Sequence, residues 1–191
     1  MSIKKEIQQI FLESSSIIES SQFLSEDIEN TVNIISSSFR KGKKLVIFGN
    51  GGSAADAQHI AAELIGRFQM KRDSLPAIAL TTDSSILTSI GNDFSFNDIF
   101  SRQVEGLVNS GDVVLGISTS GNSINIINGL KSAKSKNAKT ISILGNKGGK
   151  IKNFSDVSII VNSSSTPRIQ EVHRIIYHII CEHIEKKLSK K

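Results

Sequence analysis

Apolar residues recur at three- and four-residue spacing from residue 3 to about 40: Ile7, Ile10, Phe11, Ile17 and Ile18, then Ile28, Val32, Ile35 and Phe39. That period predicts two amphipathic helices with a break near Ser25, an N-terminal helical hairpin over 1–40 whose apolar stripe needs a partner. From residue 41 onward the pattern changes. Short apolar runs at 44–48, 77–80, 112–117, 140–144 and 157–161 have strand length, and helical patterns over 53–67, 97–108, 122–136 and 167–188 lie between and after them. A further helical region starts at Asp83 and is expected to break at Gly91-Asn92-Asp93, and a Gly-rich turn with a short helix leads to Phe154. Strands alternating with helices predict an α/β domain over 41–191, with a five-stranded parallel sheet covered on both faces. The last helix carries a start signal, Thr166 as N-cap and Pro167 at its first position.

Two strand-to-helix turns stand out in this frame. Gly49-Asn50-Gly51-Gly52-Ser53 follows the first strand, and Ser118-Thr119-Ser120-Gly121-Asn122-Ser123 follows the third. Glycines let backbone approach a ligand, and a helix that begins there aims free N–H groups and its positive dipole end at an anion. In open parallel sheets ligands bind at the carboxyl ends of the strands, so the two loops converge on one site. The second loop offers four hydroxyls and no lysine or arginine, which suits a single phosphate held by N–H and O–H donors. An ordinary polar loop with a Ser or Asn cap is the plain alternative. The first loop meets the loose G-x-G-x-x-A pattern, yet the acidic residue that would hold a ribose about 20 positions later does not end a second strand. No Lys-Ser or Lys-Thr pair closes it as a P-loop requires. A phosphorylated small molecule fits better than a nucleotide.

Composition acts mainly by exclusion. The chain has 191 residues, a net charge of +5 and 5% aromatic residues, with an isoelectric point near 9.4. Its basic residues lie in scattered clusters, including 186–191 at the end, with no finger or base-stacking pattern, so no nucleic-acid partner is expected. A single cysteine, Cys181, permits no intrachain disulfide, and no apolar run of spanning length or signal-peptide core is present. A cytoplasmic protein with no membrane partner is the resulting expectation.

Candidate chemistry sits on two helices. His59 and Glu63 are four residues apart, one turn above the other on one face, a spacing that serves a metal ion or a plain surface pair. On the last helix Gln170 and His178 lie away from the stripe of Ile169, Val172, Ile175, Ile176, Ile179 and Ile180, whereas His173 borders that stripe and His183 falls within it as a packing residue. Gln170 and His178 are about 12 Å apart along the axis and roughly 80° around it, far for two ligands of one ion. Asp93 is read as a turn residue able to bond sugar hydroxyls or to cap the following helix.

The strings from Gly49 to His59 with Glu63, Gly91-Asn92-Asp93, Gly116 to Ser123, and Arg168 to His173 with His178 together resemble the phosphoheptose isomerases of the sugar isomerase (SIS) domain class, over essentially the whole chain. The resemblance implies a flavodoxin-like sheet and a homotetramer with active sites at subunit interfaces, the N-terminal hairpin serving oligomerisation. It implies conversion of sedoheptulose 7-phosphate to D-glycero-D-manno-heptose 7-phosphate through an enediol, the first step toward nucleotide-activated heptose. It implies one zinc per site held by His59, Glu63, Gln170 and His178, and substrate contacts at Asn50, Gly51, Gly52, Glu63, Asn92, Asp93, Ser118, Thr119, Ser120, Ser123 and Gln170. Glu63 is the candidate base and His178 its acid or base partner. The competing expectations are a non-catalytic SIS module of the replication-initiator-associated type and a dinucleotide-dependent oxidoreductase.

Overall fold

The structure is a computed structural model that describes residues 2–189; Lys190 and Lys191 of the basic C-terminal run lie outside it. Helix α1 (Ile3–Ser20) passes through a 3-10 turn (Ser21–Leu24) into α2 (Ser25–Arg40), so the break falls just before Ser25. Strand β1 (Leu45–Gly49), helix α3 (Gly52–Ile65), strand β2 (Ala77–Ala79) and helix α4 (Ser84–Asp93) follow. Then come α5 (Ser101–Leu107), β3 (Val113–Ser118), α6 (Ile124–Ser135), β4 (Lys139–Leu144), β5 (Val157–Ile160) and α7 (Thr166–Leu188).

All strand pairs are parallel and the strand order is β2-β1-β3-β4-β5. This is the flavodoxin-like order, whose direction reverses between β1 and β3 and leaves a crevice at their carboxyl ends. β1 and β3 are buried along their entire length, as a sheet covered on both faces requires. One core lies under α2, α3 and α7, built from Ile35, Ile47, Ile60, Leu64, Ile141 and Ile176 among others. The second lies on the opposite face under α4, α5 and α6, around Phe48, Phe100, Val104 and Leu130. Phe48 and Phe100 stack there at 4.8 Å.

α2 belongs to the first core through Ile28, Val32, Ile35 and Phe39, whereas α1 buries no residue. Ile3, Phe11 and Leu12 are 75%, 70% and 65% exposed, and although Ile17 packs partly against the first core, most of the predicted stripe of α1 is left uncovered. No helix among the described residues is long and apolar enough to cross a membrane.

Three local expectations need correction. Gly91-Asn92-Asp93 forms the last turn of α4 and not a break, because buried Ile90 holds that turn to the second core and its carbonyl still accepts the Phe94 N–H. The helix expected over 97–108 is divided into a 3-10 turn (Phe96–Asp98) and α5, since Asn128 draws the Asn97 carbonyl away at 3.1 Å and Ser95 caps the short turn. The N-cap of α7 is Ser165, one residue before Thr166, with its carbonyl accepting from Ile169.

Candidate active site

Each Gly/Ser loop is shaped by local packing. Gly51 has φ +55 at the N-cap of α3, and no side chain caps that helix. A Cβ at Gly49 would lie 2.7 Å from Ser53, so the chain turns from β1 into α3 only without one. In the second loop Ser118 accepts the Gly121 N–H at 3.1 Å and Ser120 accepts that of Asn122 at 3.2 Å. Ser118 Oγ lies 3.5 Å from Ser120 Oγ and 3.4 Å from Ser123 Oγ, so three hydroxyls cluster at the turn. Ser123 is the N-cap of α6 but makes no side-chain cap bond, its hydroxyl being turned toward Ser118 instead. Thr119 is half-buried and Ser120 exposed.

The loops are pinned together by a pair absent from the sequence reading. The Asn50 and Asn125 amides each donate to the other at 2.9 Å, and Asn125 also accepts the Ile126 N–H at 2.9 Å. Asn125 is 3% exposed and reads in sequence as one more polar helix residue. Asn92 and Asp93, bonded to each other at 2.8 Å, are exposed at the end of α4. Asp93 does not cap the next element, where Ser95 takes that part.

α3 and α7 pack against each other and bring three expected residues together. His59, Glu63 and His178 offer donor atoms that all lie within 4.8 Å of one another. His59 Nε2 is 2.9 Å from Glu63 Oε1, and the His59 and His178 rings are 5.2 Å apart. Gln170 stands apart from them: its amide reaches the Gly52 end of α3, where a Cβ on Gly52 would meet it at 2.4 Å. Seven residues separate Gly52 from His59, about 10 Å of helix. Gln170 and His178 nevertheless share one cleft of about 540 Å³ along the outer side of α7, with Arg174 between them.

Tyr177 and Asp56 were not expected here. Tyr177 counts by spacing as one more inward position, yet its hydroxyl lies 3.0 Å from His59 Nδ1 and 3.4 Å from Asp56 Oδ1. If it donates to the Asp56 carboxylate, its oxygen accepts Nδ1–H of His59, and Nε2 keeps its lone pair. That lone pair faces a carboxylate oxygen at 2.9 Å, an arrangement that needs a proton or a cation between two acceptors. Two imidazoles and one carboxylate, one imidazole oriented from behind, suit a divalent ion such as zinc. Burial is the main cause that lowers the pKa of His178, and the neighbouring Glu63 carboxylate opposes it. His173 is fully buried, as a packing residue should be, and burial pushes it down to about 4; the Leu144 backbone offsets only part of this, and neither ring nitrogen makes a hydrogen bond of good geometry. His183 departs from expectation and is exposed, lining a groove between α2 and α7 with Lys187. Ile175, counted in the apolar stripe, is also exposed.

The chain and its fold have counterparts among known proteins. The SIS domain model matches residues 11–145. A phosphoheptose isomerase of a Geobacter species is 54% identical over 168 residues, 88% of either chain. That of Sulfurimonas denitrificans is 50% identical over 186 residues, 97% of this chain and 95% of its own. A solved phosphoheptose isomerase from Francisella tularensis superposes with a TM-score of 0.94 at 35% identity, covering 97% of this chain and all of that one. With the family model spanning most of the chain and relatives about half identical along nearly its full length, the chain belongs to the SIS domain family as one of its phosphoheptose isomerases.

Proposed function

We propose that this chain converts sedoheptulose 7-phosphate to D-glycero-D-manno-heptose 7-phosphate through an enediol, in the cytoplasm, as the first step toward nucleotide-activated heptose. The observation that carries the reading is the approach of His59, Glu63 and His178 within 4.8 Å. A ketose becomes an aldose by moving a proton between C1 and C2, which needs a base, an acid and support for the developing oxyanion. Glu63 takes the carbon-bound proton, and His178 exchanges protons with the substrate oxygens. The hydroxyls of Ser118, Thr119, Ser120 and Ser123 and the N-terminus of α6 hold the phosphate. Asn50, Gly51 and Gly52 line the sugar from the first loop, and Asn92 and Asp93 approach it from the end of α4.

His59, Glu63 and His178 would hold a zinc ion, with Gln170 as a fourth donor once its side chain leaves Gly52. When bound, that ion supplies a Lewis acid that polarises the substrate carbonyl. Tyr177 and Asp56 keep the His59 ring oriented, and Gln170 in its present place faces the sugar oxygens.

The assembly proposed is a homotetramer with sites at subunit interfaces. Two largely exposed apolar faces support it: α1 on the side of α7, and Phe94 and Phe96, 59% and 63% exposed, just after α4 on the other face of the sheet, where Arg102 covers one side of the Phe94 ring. Closed tetramers commonly use two such self-complementary surfaces. The non-catalytic SIS reading is disfavoured because a binding module has no use for a converged base and imidazole pair. Incubating the purified protein with sedoheptulose 7-phosphate and no nucleotide, then following the sugar by NMR, tests the reading. A heptose aldose should appear, and an unchanged ketose with metal-replete protein would sink it.

A further inference from the structure

Behind the candidate site lies a buried ion pair that no sequence pattern marks. Arg72, in the connection between α3 and β2, has a side chain 4% exposed, and Glu185, on α7, is 1% exposed. Arg72 Nε donates to Glu185 Oε1 at 3.0 Å. One terminal nitrogen donates to the carbonyls of Leu64 and Asp73, each at 2.9 Å, and the other to the carbonyl of Glu63 at 2.8 Å. Glu185 accepts three successive backbone N–H groups as well, from Phe68 at 3.0 Å and from Gln69 and Met70 at 2.7 Å each. The guanidinium therefore caps the last turn of α3 at the residue proposed as base, and the carboxylate gathers the turn that follows onto α7.

The other end of the device reaches the imidazole. Glu185 and His178 are seven residues apart on α7 and so lie on nearly the same side of it. The turn that Glu185 holds carries Phe68, whose ring centroid is 5.7 Å from that of His178. Burial of charge is costly, and a buried ion pair often adds little stability over apolar residues of like volume, so its worth lies more in the geometry it specifies.

We propose that Arg72 and Glu185 are positioning residues for the isomerisation, clamping the Glu63 end of α3 and the Phe68 wall against α7 so that base and imidazole keep the spacing proton transfer needs. This rests on the roles given above to Glu63 and His178. Neither clamp residue touches the Ser118–Ser123 loop, so substrate grip and proton-transfer geometry should separate in the kinetics.

The test uses the purified full chain with divalent metal supplied, comparing wild type with Glu185→Gln and Arg72→Lys. Glu185→Gln should lower kcat by about 10- to 100-fold, the scale of a small misplacement of reacting groups, while KM stays within about three-fold. Arg72→Lys keeps a cation beside Glu185 but cannot span the Glu63 and Leu64 carbonyls; it should give a smaller fall of the same kind and serves if Glu185→Gln does not fold. Histidine 1H–13C spectra give a second readout, because the His178 ring proton should shift as Phe68 leaves its face. A variant that loses thermal stability but keeps kcat within about two-fold, or that raises KM alone, overturns the proposal. If wild type leaves the sugar phosphate unchanged, the reaction assignment fails instead, and the clamp is judged by the spectrum: a moved His178 resonance supports it and an unmoved one overturns it.

Discussion

At the scale of single residues, the site separates holding from reacting. Glu63, the proposed base, is 23% exposed and lies at the opposite end of α3 from the glycines of the first loop. Glu63→Gln keeps the size and loses the base, so kcat should fall about 10²- to 10⁴-fold while sugar-phosphate affinity, measured by calorimetry, survives. Turnover near the wild-type rate would remove Glu63 from the base role. His173 makes a different demand. An unfolded histidine titrates near 6.5, whereas burial takes this one down to about 4. Between those values the unfolded chain holds a proton that the native chain does not, so stability falls as pH drops through the window and the effect levels off below about 4. His173→Leu should flatten that fall by an amount on the order of 3 kcal/mol at most, read as the difference between the two proteins in denaturant unfolding from pH 7 to 4. Parallel curves would show that His173 is not the titrating group. The pairing of His59 with Glu63 was legible from spacing, though as much a surface pair as a ligand pair, whereas the contact of Tyr177 with His59 was not, because a hydroxyl aimed at an imidazole on another helix looks like one more buried residue of α7.

At the scale of elements, the strands and most helices were readable because burial on both faces of the sheet forces short apolar runs, and burial on one face of a helix forces the 3.6 period. What failed were ends and interruptions. Gly91 looked like a stop, but a glycine inside a helix costs only about 1 kcal/mol, and the packing of Ile90 outweighs it. His183 was assigned to the stripe by arithmetic, yet α2 and α7 leave a groove there rather than close contact. The Arg72 and Glu185 pair was illegible because its partners are more than 100 residues apart and depend on the turn between α3 and β2. The second loop depends on a similarly distant contact. Gly121 has φ +69, and a Cβ on it would lie 2.3 Å from the Gly148 carbonyl oxygen, in the turn after β4. Gly121→Ala should therefore cost about 2 kcal/mol or more and raise KM for the sugar phosphate, while Glu63 and His178 are left in place. Thermal unfolding and steady-state kinetics check this, and an alanine variant with unaltered melting and KM would show that the loop tolerates rearrangement.

At the scale of the whole molecule, the question is how many chains make one site. His59, Glu63 and His178 meet within a single chain, and Gln170 joins the first loop of the same chain. If a substrate bridges the trio of one subunit and the hydroxyl loop of another, then Glu63→Ala and Ser120→Ala proteins, each weakened alone, should recover a substantial fraction of turnover when dissociated and reassembled together. Mixed oligomers of demonstrated composition that stay inactive would mean that each chain serves its own loop. Whichever holds, the two ligand loops of one chain are joined across the β1 and β3 crevice by the Asn50 and Asn125 amides, a link without net charge and without a proton to gain or lose in the working range. Salt and pH that screen the phosphate or titrate the imidazoles leave this link as it is. Ionic strength should thus alter how strongly the substrate is attracted and leave the shape of the cradle it enters unchanged, so that tight and weak binding conditions sample one and the same template.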